Sequence, residues 1–179
     1  MRFGCVPSTC KPADRPLLPF VALAIGLAAM GHFVWEAAQL PLYTLWRTGT
    51  RREIAFALFH CTGGDVVITT ATLAVATALA RAFRWPPFGW RMVFTAITLG
   101  AAYTILSEWL NVAIRRSWSY TAAMPVVPFL GTGLAPLLQW LIVPSLALAI
   151  IGYRYRRAHG SRRNRPLKRC GCGNSPIRS

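Results

Sequence analysis

The chain has few acidic side chains and no basic ones inside its long apolar runs. It carries five Asp and Glu against twenty Lys and Arg in 179 residues. The basic residues lie between the runs or at their ends, whereas three acids, Glu36, Asp65 and Glu108, lie within them. An ionisable group in hydrocarbon costs at least ~2.5 kcal/mol on insertion scales and usually serves a function there. Acids without a buried cation indicate a site that holds a proton, a metal ion or a cationic ligand.

The sequence also lacks the polar content of a soluble globular domain. Its residues are 54% hydrophobic and its mean hydropathy is +0.41. Four apolar runs are each long enough to cross a hydrocarbon core of ~30 Å, and they cover residues 17–40, 54–80, 91–114 and 127–152. We predict an all-α integral membrane protein, a bundle of four transmembrane helices. Its parts are an N-terminal tail (1–16), a transmembrane domain (17–152) and a basic C-terminal tail (153–179).

The net charge of +15 does not predict nucleic-acid binding, because the charge is distributed by compartment. Fifteen basic residues lie in the two tails and around residues 81–91, against five in the other two loops. The positive-inside rule therefore places both termini in the cytoplasm, with the basic tail near anionic lipid. The first run continues past the small residues Ala28-Ala29, so no cleavable signal peptide is expected. Arg outnumbers Lys eighteen to two, as in GC-rich bacterial genes, and we predict a bacterial inner-membrane protein.

Internal repeats and C-x2-C pairs are absent as well. Without an inverted repeat, a transporter built on inverted-topology halves has no support. The four tail cysteines lack the spacing of a typical zinc site, and on the cytoplasmic side we expect reduced thiols. These cysteines are Cys5, Cys10, Cys170 and Cys172. No cofactor is predicted.

The polar residues of the runs fall on single helix faces. His32 and Glu36 are four residues apart, one turn from each other on the first run. Asp65 belongs to a polar stripe on the second run, followed by Thr69 and Thr72. By the same spacing, the third run places on one face Thr104, Glu108 and Asn111.

Depth in the membrane groups the ionisable side chains further. At about 1.5 Å per residue, four of them, His32, Glu36, His60 and Glu108, fall in the outer half of the bilayer, and Asp65 lies nearer the middle. We predict that they converge on one cavity. Each also has a structural explanation: interhelical hydrogen bonding for the histidines, contact with interfacial water for the glutamates, and pairing for Asp65.

One segment of the first run resembles the EXPERA superfamily of emopamil-binding-protein-like membrane proteins, which includes the sterol isomerase and the sigma-two receptor. The segment is His32-Phe33-Val34-Trp35-Glu36, followed by Pro41-Leu42-Tyr43. The resemblance implies a four-helix core with His-x3-Glu on an early helix. Further matches are Gly64-Asp65, the stretch from Gly100 through Tyr103 to Glu108, and Gln139-Trp140 with Pro144. The family's second-helix glutamate is missing, since Thr69 and Thr70 stand there, and this puts isomerase chemistry in doubt more than the fold.

The resemblance implies that a proton is relocated along a sterol or terpenoid double bond. His32 or Glu36 would be the general acid, and charge and cation–π attraction would stabilise the carbocation. That stabilisation is assigned to Glu108, Asp65 and the face of Trp140. The predicted catalytic residues are His32, Glu36 and Glu108, and the predicted ligand-binding residues are Asp65, His60, Asn111, Tyr103, Gln139 and Trp140.

Three functions stay open on the sequence alone. The first is binding or double-bond isomerisation of a lipid, sterol or isoprenoid, with membrane lipids and a hydrophobic small molecule as partners. The second is an intramembrane proton or metal site, whose ligands would be His32, Glu36, His60 and Glu108. The third is a non-catalytic membrane subunit or assembly factor that docks a membrane protein through the basic tail.

Overall fold

The computed structural model describes residues 17–163, in which all regular structure is helical. The predicted N-terminal tail, the end of the C-terminal tail and the four tail cysteines lie outside the described residues. The helices are α1 (Leu18–Gln39), α2 (Leu45–Thr48), α3 (Arg51–Ala82), α4 (Trp90–Glu108) and α5 (Leu134–Arg163). A 3-10 turn (Leu40–Leu42) follows α1, and a π-helical turn (Trp109–Ile114) follows α4. Four helices, all but the one-turn α2, are long and apolar enough to cross a membrane.

Local sequence signals set the helix ends. Pro19 lies in the first turn of α1, where a missing backbone N–H costs no helical hydrogen bond. Since proline cannot continue a helix, the first run is expected to end or kink at Pro41, and Pro41 lies in the 3-10 turn that ends α1. At the start of α3, Thr50 and Glu53 form a capping box in which each side chain accepts a hydrogen bond from the other residue's backbone N–H.

The four long helices form a closed ring. α1 packs against α3 and α5, and α4 packs against the same two helices. The buried residues of α1 and α4 recur about every fourth position, so one stripe of each helix faces the bundle interior. Along α1 the stripe is Ala24, Ala28, His32, Glu36 and Gln39, and along α4 it is Met92, Ala96, Gly100, Thr104 and Glu108.

These stripes divide the bundle into two halves. One half contains both ends of the helical domain, namely the start of α1 and the later part of α5, together with the α3–α4 loop. We call it the terminal half, and its core is apolar. The buried residues of this core are Ala24, Leu73, Ala76, Ala80, Phe88, Met92, Ala96, Leu148 and Ile151. The linker half contains the end of α1, the start of α3, the end of α4 and the start of α5, and its buried residues are mostly polar.

Two chain segments cross the end of the linker half and are joined to each other. The backbone N–H of Thr44 donates to the carbonyl of Ser119 over 3.0 Å, and that of Thr121 donates to Leu42 over 2.9 Å. The rings of Tyr43 and Tyr120 lie 5.5 Å apart between these bonds. Residues 40–50 and 115–133 together are called the cap.

The fourth long helix differs from its prediction. It begins at Leu134 rather than at residue 127, because Val126 and Gly133 form an antiparallel bridge that turns the chain back on itself. Phe129 and Gly131 adopt left-handed backbone conformations inside this turn, with φ of 68° at both, and a helix cannot include them. The sequence also predicts that this run is interrupted, by Pro128, Gly131, Gly133, Pro136 and Pro144; the first three lie in the turn before α5, whereas Pro136 and Pro144 lie inside the helix. α5 includes Pro144 without ending and continues to Arg163, past the predicted start of the tail.

Candidate functional site

The linker half encloses a cavity of about 320 Å³. All four long helices and the cap contribute to its walls. Most of the predicted site residues line it, namely Glu36, His60, Asp65, Tyr103, Glu108, Asn111, Gln139 and Trp140. Of the five ionisable side chains expected from membrane depth to converge, all but His32 line this cavity.

His32 is the exception among the predicted site residues. It is fully buried and lies behind the cavity wall. Its Nε2 atom lies 3.2 Å from Oγ1 of Thr69, and its Nδ1 atom lies 3.0 Å from Nε2 of Gln139. Since the Gln139 amide N–H donates to Nδ1, the pattern corresponds to a neutral imidazole that donates from Nε2 to Thr69. His32 therefore contacts a residue that lines the cavity, Gln139, but does not line the cavity itself.

Gln139 on α5 connects the polar residues of three helices. Its amide nitrogen donates to Nδ1 of His32 on α1 and, over 2.8 Å, to Oδ2 of Asp65 on α3. Its carbonyl oxygen accepts from the amide of Gln39 over 3.3 Å. Both amide hydrogens and the amide oxygen of this buried side chain are therefore bonded, which fixes its orientation.

Gln39 holds Glu36 from the same helix and was not predicted from the sequence. Its amide nitrogen donates to Oε1 of Glu36 over 2.9 Å, and its oxygen accepts from the indole N–H of Trp35 over 3.2 Å. The indole N–H is shared with the carbonyl of Ala135 at the start of α5, also at 3.2 Å. The signal was available, because Gln39 follows Glu36 by three residues and continues its helix face.

Glu36 and Asp65 form a carboxyl pair at the inner wall of the cavity. The two groups lie close enough to interact electrostatically, and each accepts a hydrogen bond from a glutamine amide. His32 lies 3.5 Å from Oδ2 of Asp65, but its Nδ1 is already occupied by Gln139. Two adjacent carboxyl groups in a poorly solvated site do not both ionise, so the pair retains a proton.

Glu108 forms a second acidic position on the opposite wall. The hydroxyl of Tyr120 in the cap donates to Oε2 of Glu108, and accepts from the backbone N–H of Gly133 over 3.0 Å. Burial raises the pKa of Tyr120, and the adjacent carboxyl adds to the rise, so the phenol stays protonated and able to donate. Burial likewise raises the pKa of Tyr43 above its usual range. Tyr120 was missed because it lies in an irregular segment without a periodic signal.

A basic side chain does line the cavity, but only at its margin. Arg115, at the junction of α4 and the cap, is exposed and makes no ion pair among the residues that the structure describes. Nearby, Asn111 donates to the backbone oxygen of Ser107 over 2.8 Å, so its amide is partly occupied. Among the described residues, Arg115 is the one Lys or Arg that lines the cavity, and it is exposed, whereas Glu36 and Glu108 are buried.

His60 lies at the outer edge of the cavity. It is exposed, and its ring stacks on Phe56 with the centroids 5.3 Å apart. His60 and the buried His32 are therefore not positioned as partners. Among the side chains that the structure describes, residues 17–158, no three of His, Cys, Asp or Glu are arranged to hold a metal ion. The alternative of an intramembrane metal site gains no geometric support.

Fold and site together define an all-helical protein with four membrane-length helices and an acidic cavity between them. Comparisons with protein-family models, with curated proteins and with solved structures find no match to this chain. The resemblance to the EXPERA superfamily consequently stays a prediction that is carried by its motifs.

Proposed function

We propose that this protein binds a lipid-like ligand, an isoprenoid or a sterol, in the cavity of the linker half and shifts a double bond in it by proton transfer. The observation that carries the proposal is the carboxyl pair of Glu36 and Asp65, which the amides of Gln39 and Gln139 orient at the wall of a cavity between apolar helices. Its volume of about 320 Å³ lies at the lower end of the range for small-molecule sites, ~300–1,000 Å³.

The pair supplies the acid and the base of such a reaction. Its proton adds to one carbon of the double bond, which leaves a carbocation at the other carbon. A carboxylate of the pair then removes a proton from the next carbon, and the double bond reforms one position away. The carboxyl pair regains its proton, so no further reactant is consumed. The ring of Trp140, which lines the cavity, stabilises the cation by cation–π attraction.

His32 has a positioning role in this scheme rather than the acid role that the resemblance implies. It touches no cavity surface, and it fixes Gln139, which in turn orients Asp65. The missing second-helix glutamate of the family is compatible with this arrangement, because Thr69 at that place bonds to His32.

Deuterium incorporation tests the proton transfer before the natural substrate is known. Purified protein in D2O is incubated with a panel of isoprenoid and sterol alkenes, and mass spectrometry measures deuterium in the recovered alkene. We expect incorporation by the wild type and a fall of at least about 100-fold in Glu36→Gln and in Asp65→Asn. Binding to each variant is measured separately by native mass spectrometry.

Glu53→Gln is the matched control, because Glu53 is an exposed carboxylate that caps α3 and lies away from the cavity. A glutamine also completes a capping box, so this variant is expected to fold and react like the wild type. Binding of alkenes without any deuterium incorporation by the wild type would contradict the proposed chemistry. Failure to bind any member of the panel would contradict the ligand class.

We further propose that both termini face the cytoplasm of a bacterial cell. In support, the terminal half carries more basic residues than the cap, among them Arg81, Arg84, Arg91, Arg154, Arg156 and Arg157. The cavity then opens towards the outer leaflet of the inner membrane. Alkaline phosphatase fused to the C-terminus should stay inactive in bacterial cells, while the same fusion within residues 47–50 should be active; the reverse pattern would invert the proposed orientation.

A further inference from the structure

The end of the cavity is covered by the cap. Tyr43 and Trp118 line the cavity from this side, and backbone hydrogen bonds join the two cap segments directly above it. The Tyr120 hydroxyl adds a bond from the cap to Glu108 on α4. A ligand that arrived along the bundle axis would have to break several of these bonds.

The side of the cavity between α3 and α4 is built differently. In the terminal half these helices pack closely through small buried residues, Ala76 and Ala80 on α3 and Ala96 on α4. In the linker half, His60 and Gly64 on α3 both line the cavity and are exposed at the outer surface. A residue that faces both the cavity and the outside marks an opening in the wall.

Tyr103 marks the other edge of this opening. It lines the cavity and is 50% exposed. It follows Ala96 by seven residues, close to two helical turns, so the two side chains lie on nearly the same face of α4. Ala96 belongs to the same buried cluster as Ala76 and Ala80 of α3, so this face of α4 is turned towards α3.

The glycine pair Gly63-Gly64 keeps this opening clear. A glycine pair inside a helix predicts a flexible or closely packed point, but a Cβ atom built at either glycine meets nothing within 4 Å. Only Gly64 lines the cavity. It lies thirteen residues after Arg51, roughly 20 Å along a helix of 1.5 Å rise per residue, and this depth places the opening beside lipid chains rather than water.

From this arrangement we infer that the ligand reaches the cavity sideways from the bilayer, through an opening between α3 and α4 bordered by His60, Gly64 and Tyr103. The ligand class is therefore an amphiphile dissolved in the membrane, with its polar end towards the cap and Arg115, and not a water-soluble metabolite. The inference rests on the proposed function only in that a hydrophobic ligand occupies the cavity; it does not depend on isomerisation.

Substitution of the two neighbouring glycines tests the route. The full chain is reconstituted into phosphatidylethanolamine–phosphatidylglycerol vesicles that contain a diazirine-bearing isoprenoid alcohol, and cross-links are mapped by mass spectrometry after irradiation. In the wild type we expect cross-links to Glu36 and Asp65. Gly64→Phe should lower this labelling about tenfold, equivalent to ~1.4 kcal/mol, because the ring fills the opening. Gly63→Phe, beside it but off the cavity, should label like the wild type.

A second variant changes the opening in the other direction. Tyr103→Ala removes the side chain at the α4 edge, and we expect faster labelling of Glu36 and Asp65 than in the wild type. Circular dichroism and the melting temperature show whether Gly64→Phe folds. If it does not fold, Tyr103→Ala still tests the route.

The outcomes separate the two proposals. Equal labelling of the wild type and a folded Gly64→Phe, or no increase in Tyr103→Ala, overturns the sideways route and leaves the proposed function standing. Cavity labelling in detergent but not in vesicles also overturns the route. No cavity labelling in either medium overturns the proposed function, and the route with it.

Discussion

The two halves of the bundle are built from the same four helices, but one has a packed apolar core and the other has polar side chains around a cavity. In the terminal half the inward stripes carry alanine, methionine, leucine and isoleucine, and a void beside them measures only about 10 Å³. In the linker half the same stripes carry glutamate, aspartate, glutamine, histidine and threonine around a cavity of about 320 Å³. Close packing in the terminal half therefore holds together helices that enclose a cavity in the linker half. The acids of the linker half cost stability in hydrocarbon, and none of the described Arg side chains is buried beside them.

The junction of the two halves depends on Gly100. A Cβ at this position would overlap the ring of Trp140, which is 2% exposed. Gly100→Leu should push α4 away from α5 and lower the free energy of unfolding by about 3 kcal/mol, the upper range for overpacking. Gly26→Leu is the control, because nothing lies within 4 Å of a Cβ there. Chemical denaturation in detergent micelles measures the free energy of unfolding of both variants. Equal values for the two would refute the proposed role of Gly100.

A smaller loss of stability is expected when Gln139, at the centre of the linker half, is replaced. Gln139→Leu leaves Asp65, Nδ1 of His32 and the amide of Gln39 without the partner that joins them. Unsatisfied buried groups cost ~1–3 kcal/mol, and we expect a loss of about 2 kcal/mol together with loss of isoprenoid binding. Gln39→Leu removes a side chain with fewer partners on other helices and should cost less. A larger cost for Gln39→Leu would show that Gln139 is not the centre of the network.

The smallest expected effect concerns the bond between the cap and α4. Tyr120→Phe removes the hydroxyl that donates to Glu108 and accepts from Gly133, and we expect a loss of about 1 kcal/mol at neutral pH.

The pH dependence of this bond has a definite sign. Because the pKa of Tyr120 is raised in the folded protein, its contribution is complete below the unfolded value of about 10 and is lost as the pH rises above it. The wild type should therefore lose stability more steeply above pH ~10 than Tyr120→Phe does. Tyr153→Phe, at an exposed position, is the control and should follow the wild type; identical slopes for all three proteins would contradict the bond.

Several local features of the fold were predictable because each depends on a short stretch of chain. Pro41 ended α1 as expected, since proline cannot continue a helix.

The start of the fourth helix, in contrast, was predicted seven residues too early, at 127 rather than Leu134. Apolar residues fill both the helix and the turn before it, and only the bridge between Val126 and Gly133 distinguishes them.

The candidate site was predictable in part. Four-residue spacing places His32 and Glu36 on one face of α1, and both are buried there. Spacing alone does not say that His32 lies behind Gln139 while Glu36 faces the cavity. Tyr120 lies in an irregular segment and reaches Glu108 only because the cap folds back over the bundle.

The sequence by itself determined that four helices are long and apolar enough to cross a membrane and that acids lie among them, because hydrophobic length and charge are properties of each segment alone. Only the tertiary structure decided that Glu36 and Asp65 line one cavity, that Gln139 joins Asp65 to His32, and that Gly64 lines this cavity from an exposed position on α3. Those outcomes depend on which stripe each helix turns towards its neighbours, and side-chain packing between helices settles this rather than the composition of any one of them.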